Sequence, residues 1–77
     1  MNKEIYKLTE TLSKGFKKGD LVFKDYDFPI DYLYRCDENG EEVLDDEGYT
    51  IIYDWHPTLE PCPWDGKLEL YKVINEI

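Results

Sequence analysis

Seventy-seven residues enclose one thin core, which leaves little room for a cleft deep enough to hold a cofactor and turns attention to surfaces. Hydrophobic residues at 42% and aromatic residues at 16% exclude a disordered acidic tail. A formal net charge of −9 disfavours direct contact with nucleic acid or an anionic membrane, because both depend on Lys and Arg.

In chain order, the first predicted element is a helix over about residues 3–14. Ile5, Leu8 and Leu12 fall at helical spacing with Tyr6 near the stripe's edge. Asn2 suits an N-cap, Lys14 the last turn and Gly15 the C′ position. So short a helix is marginal alone, so its stripe is expected to dock on the sheet that follows.

From Asp20 the period changes to alternation, and the sheet is expected over about residues 20–74. Leu21 to Tyr26 is the first predicted strand, opened by the Lys17-Lys18-Gly19-Asp20 turn. After Pro29, Ile30, Tyr32, Tyr34 and Cys36 alternate with Asp31, Leu33 and Arg35 to give a second. Asp37-Glu38-Asn39-Gly40 signals a reversal, since Asn-Gly accepts positive φ at low cost. Glu41 to Leu44 reads as a short return strand or a bridge between two turns, the second being Asp45-Asp46-Glu47-Gly48.

Tyr49 to Trp55 gives the clearest alternation, with Tyr49, Ile51, Tyr53 and Trp55 on one face and Thr50, Ile52 and Asp54 on the other. Pro57, Pro61 and Pro63 argue against a regular strand between His56 and Gly66. Lys67 to Ile74 alternates again as a last strand. The pattern predicts a single α+β domain, an N-terminal helix packed on a twisted antiparallel sheet of four to five short strands, with a half-closed barrel as the variant.

Charge is unevenly spread. Residues 1–18 hold five Lys against two Glu, whereas residues 25–65 hold thirteen carboxylates against Arg35 alone. Seven of these acids crowd the stretch from Asp37 to Glu47, which fails the EF-hand pattern: counted from Asp37, the Gly falls at position 4 and position 12 is Gly48. Cys36, His56 and Cys62 match no zinc spacing. Cys62, His56 and Asp54 assemble a nucleophile set only on paper, without the elbow or glycine-rich loop that such chemistry uses. No catalytic residue, cofactor or metal ligand is assigned.

The N-terminus lacks the apolar run of a signal peptide and no stretch has transmembrane length. A cytoplasmic location, with Cys36 and Cys62 as reduced, partly buried thiols, is therefore expected.

Two surface readings carry physical content. In the first, Asp37, Glu38, Glu41, Glu42, Asp45, Asp46 and Glu47, with Asp25, Asp27 and Asp31 as a second cluster, form a spaced array of charge. Nearby rings (Tyr26, Phe28, Tyr32, Tyr34, Tyr49) supply apolar contact. Such an array suits the basic working surface of a nucleic-acid-binding enzyme or regulator, including by mimicry of nucleic-acid charge. By size and charge alone it is comparable with the small acidic inhibitors of phages and mobile elements, which would place it in a bacterial host. In the second reading, Trp64 is the exposed anchor of an aromatic Pro-rich loop, and acidity serves solubility. Either a monomer or a homodimer fits.

Overall fold

The computed structural model describes residues 2–57 and 61–75; residues 58–60, at the centre of the Pro-rich loop, lie outside them. Five strands are present: β1 (Asn2–Leu8), β2 (Leu21–Asp27), β3 (Ile30–Arg35), β4 (Ile52–Trp55) and β5 (Leu68–Asn75). All neighbours pair antiparallel, in the order β4-β3-β2-β1-β5. The fold is all-β and the sheet is open, with no helix among the described residues. Both the α+β expectation and its half-closed barrel variant are thereby corrected.

The segment read as a helix is the second strand from one edge. β1 pairs along its whole length with β5 and more briefly with β2, at Tyr6↔Val22 and Lys7↔Leu21. Ile5 and Leu8 are both fully buried, and the alternation of a strand puts them on opposite faces. A strand buried on both sides loses clean alternation, and the three-residue step from Ile5 to Leu8 then imitates a helical stripe. A one-residue register shift between Ile5 and Tyr6, facing Tyr71 on β5, accommodates the pairing.

Two connections pack on the same face. The loop from Thr9 to Asp20 joins neighbours β1 and β2 but swings over the sheet, bringing Leu12 and Phe16 with it. The connection from β4 to β5 must pass from one edge of the sheet to the other. Four strand spacings amount to about 19 Å, and the intervening segment reaches roughly 40 Å when extended. It therefore spans the sheet with length to spare, and it carries Cys62 and Trp64 into the interior.

The resulting core is Leu8, Phe16, Val22, Leu33 and Trp64, with Tyr6, Leu12, Ile51, Tyr53, Trp55, Cys62 and Leu68 packed against it. Paired residues across a ladder share a face, so the strand members of this set all lie on one side, the covered face.

Tyr53 joins the two connections. Phe16 meets its ring edge-on at 5.7 Å and Trp64 does so at 5.8 Å. Arg35, also on the covered face, ties the first loop down further. Its guanidinium Nη1 donates to the Gly15 carbonyl at 3.1 Å, and Nε lies 3.6 Å from the Asp20 carboxylate. Gly15 is needed there for close approach, since a Cβ would stand 3.2 Å from Ile51 Cγ2.

Beyond β3 the chain makes two turns of the same design. In each, an Asp opens the loop and a Gly with positive φ ends the turn (Gly40, φ 80°; Gly48, φ 88°). Single bridges Cys36↔Glu42 and Leu44↔Thr50 flank them. Residues 41–44 are thus a bridge between two turns. They draw residues 49–51 partly away from β3, so the predicted strand Tyr49–Trp55 is regular only over β4. The first turn folds over the other side of β1 and β5, where Gly40 is buried. A Cβ there would come 3.2 Å from Lys3 Cδ and 3.3 Å from Ile74 Cδ1.

Each edge-on ring contact contributes about 0.5–1.5 kcal/mol beyond its buried area. Tyr53→Leu is therefore expected to lower unfolding free energy by about 1–3 kcal/mol, measured by urea denaturation. Tyr49→Leu, at a ring 68% exposed, should change it by less than about 0.5 kcal/mol.

Candidate functional site

With both long connections on one side, no described loop packs over the opposite face of β2, β3 and β4, where Lys3 reaches across to the Phe23 ring. Register fixes its residues in cross-strand rows: Phe23 beside Tyr34, itself beside Ile52; Asp25 beside Tyr32, itself beside Asp54; and Asp27 beside Ile30. Asp25, Asp27, Ile52 and Asp54 are exposed, and Phe23, Tyr32 and Tyr34 half-buried. At the far side of the same face, β1 and β5 contribute Lys3, Lys7 and Lys72, with the first Asp-Gly turn resting on them.

The predicted acidic cluster divides accordingly. Asp25 and Asp27 stand together on the open face, whereas Asp31 points to the covered face, opposite Trp55. Asp37 and Asp45 are occupied within their own turns. Oδ1 of Asp37 accepts from the backbone N–H groups of Asn39 and Glu41, at 2.8 and 3.0 Å. Oδ1 of Asp45 accepts from Glu47 and Tyr49, at 2.9 Å each. Glu38 is held against β5, accepting from the Tyr71 hydroxyl at 3.2 Å while Lys72 donates to its carbonyl. Glu41, Asp46 and Glu47 project into solvent. Glu42, bridged to Cys36, lies close enough to act on the Tyr34 phenol.

Among the described residues the one ion pair is Arg35–Asp20, so the carboxylates of the open face and of the turns have no cationic partner.

Trp64 is 5% exposed and belongs to the core, which corrects its reading as a surface anchor. The reason is the crossing: a connection lying flat on the sheet presents its largest ring to the apolar side. The paper triad is also dispersed, with Asp54 on the open face, His56 exposed, and Cys62 against the core of the covered face. Both thiols are free, and burial pushes each above its ordinary value, which keeps them protonated and poorly nucleophilic at neutral pH. Cys36 lies outside the cluster that Cys62 packs on. Among the described residues no three His, Cys, Asp or Glu side chains converge as a metal site.

Two members of the open face were missed in the sequence, Asp54 as a surface charge and Phe23 as a ring. Parity alone contains the signal. Once Val22 and Leu33 are fixed as core, Phe23, Asp25, Tyr32 and Tyr34 must face the other way, and Asp54 follows from its pairing with Tyr32.

The chain matches no protein-family model, no curated protein and no solved structure.

Two measurements check this description. Removing either turn carboxylate frees two backbone N–H groups to water, so Asp37→Ala and Asp45→Ala should each cost about 1 kcal/mol in urea denaturation without altering the open face. The Tyr34 phenol is held above its ordinary 10.0, first by burial and then by the charges of Asp25, Glu42, Tyr32 and Asp27. An acid whose folded value is raised adds stability below its unfolded value. That contribution is lost as pH rises from about 10 through the raised value. Asp25→Asn should lower the Tyr34 midpoint in an NMR pH titration while leaving it above 10.0, because burial remains the larger cause.

Proposed function

We propose that this protein acts by binding a basic, nucleic-acid-handling protein and blocking or modulating it, rather than by catalysis. One observation carries the reading. The open face of β2–β3–β4 and the adjoining turns expose carboxylates that, among the described residues, no cation pairs with. An acidic sheet that served solubility alone would gain from interspersed Lys and Arg. Three of the nine cations are engaged elsewhere: Lys3 and Lys24 lie over rings, and Arg35 holds down a loop.

Physically, unpaired surface carboxylates on a rigid sheet act at long range before they act at contact. Their summed potential steers a basic partner into encounter and orients it, an effect that weakens as salt rises. A surface evolved to hold a phosphate backbone offers such complementarity, which is the sense in which this face imitates nucleic acid. The rival reading, an aromatic loop module, loses its anchor with Trp64 buried. The cytoplasm of a bacterium, where such targets work, is the setting that this reading implies.

The test is a nuclease-treated pull-down at low salt with the tagged protein and with the triple variant Asp25→Lys/Asp27→Lys/Asp54→Lys. A basic partner should be released by moderate salt and displaced by added duplex DNA. The variant should hold that partner about tenfold or more weakly and show a flatter salt dependence, with an unchanged unfolding midpoint. Retention of wild-type affinity by the folded variant overturns the reading.

A further inference from the structure

The open face carries more than charge. Phe23 and Tyr34 stack across β2 and β3 with centroids 4.9 Å apart and planes within 6°. Tyr32 continues the stripe 6.1 Å from Tyr34. One end of the stripe already binds a cation of the chain itself, for Lys3 Nζ sits 3.8 Å above the Phe23 ring and donates to the Gly40 carbonyl at 2.7 Å. The other end has no such occupant. There Tyr32 stands in a row of three, with Asp25 on one side and Asp54 on the other. Neighbouring strands are about 4.8 Å apart, so each acid springs from the backbone one strand spacing from Tyr32. Oδ1 of Asp25 accepts from the Tyr26 N–H at 2.8 Å, which leaves its other oxygen for a partner.

We infer that the Asp25–Tyr32–Asp54 row is a binding site for an arginine side chain of the basic partner, its guanidinium stacked on Tyr32 and bonded to the flanking carboxylates. The inference rests on the reading of this protein as a binder of basic proteins and specifies where and how it binds.

Arginine suits the row better than lysine. Its guanidinium is planar, so it stacks on a ring and still directs N–H groups outward in its own plane, parallel to the ring, towards both acids. It is also more weakly hydrated than an ammonium, and cation–π attraction favours it. Lysine, as a compact point charge, can lie over a ring and meet one oxygen, as Lys3 does with Phe23 and the Gly40 carbonyl, but it lacks the fork that reaches two carboxylates.

Other occupants fit less well. Single-stranded nucleic acid would find rings to stack on, but its phosphates would meet Asp25, Asp27, Asp54 and Glu42. A second copy of the chain would set the same acids against each other.

The experiment titrates the isotope-labelled full chain at low salt with nona-arginine and, separately, nona-lysine, followed by NMR. Nona-arginine is expected to bind about tenfold more tightly and to shift Phe23, Tyr32, Tyr34 and Asp54 most. Tyr32→Leu should bring nona-arginine down to the nona-lysine level and leave nona-lysine unchanged. Asp54→Asn, at an exposed position that folding does not use, should weaken nona-arginine several-fold and serves as the control if the Tyr32 variant folds poorly. Equal affinities with shifts confined to residues 37–48 overturn the arginine site while leaving the acidic binding function standing. Absence of binding by either peptide overturns both.

Discussion

The structure depends on one crossing. β4 and β5 lie at opposite edges of the sheet, so the chain between them has to traverse a face, and it does so with Trp64 turned inward against Tyr53. The sheet supplies only half of a core. Val22, Leu33 and Leu8 present an apolar surface that water would otherwise cover, and a five-stranded sheet with no helix must bury it under loops. Tyr53 is where this is resolved, because its ring takes Trp64 from the crossing and Phe16 from the first loop.

Function follows from where the loops go. With both long connections on one side, the other side of β2–β3–β4 is left with aromatic and acidic residues in register. The first turn after β3 covers the remainder of that side, over β1 and β5, where the lysines are. On this side the charge is therefore graded across the strands: Lys3, Lys7 and Lys72 against Glu69 alone over β1 and β5, and Asp25, Asp27 and Asp54 over β2 and β4. This separation does not come from the lopsided composition alone. The sheet order places strands from the two ends of the chain next to one another and keeps the acidic middle together.

Much of this was legible. β2 and β3 declare themselves by alternation, the Asn39-Gly40 and Glu47-Gly48 turns by their chemistry, and β5 by its regular period. β1 was not legible, for a definite reason. Its nature is set by a partner more than sixty residues away, and burial on both faces erased the period-two signal that would have identified it. The acidic site was legible as composition but not as geometry. Asp25, Asp31 and Asp37 look equivalent in a list of charges. They become an open-face carboxylate, a covered-face neighbour of Trp55 and a turn cap only once the covered side is known, and loops without periodicity decide that side.

The pairing of β1 with β5 also has a kinetic meaning. β2 and β3 meet through a two-residue connection, and the paired Asp-Gly turns close loops of only a few residues, so these parts can form early and locally. Joining Asn2–Leu8 to Leu68–Asn75 closes nearly the whole chain, and topologies rich in such distant contacts fold slowly. The seating of the crossing connection with its tryptophan belongs to that distant closure, because the connection leads directly into β5. A sequence change on the bare face touches neither that closure nor the crossing tryptophan, which frees the face to vary with whatever it binds.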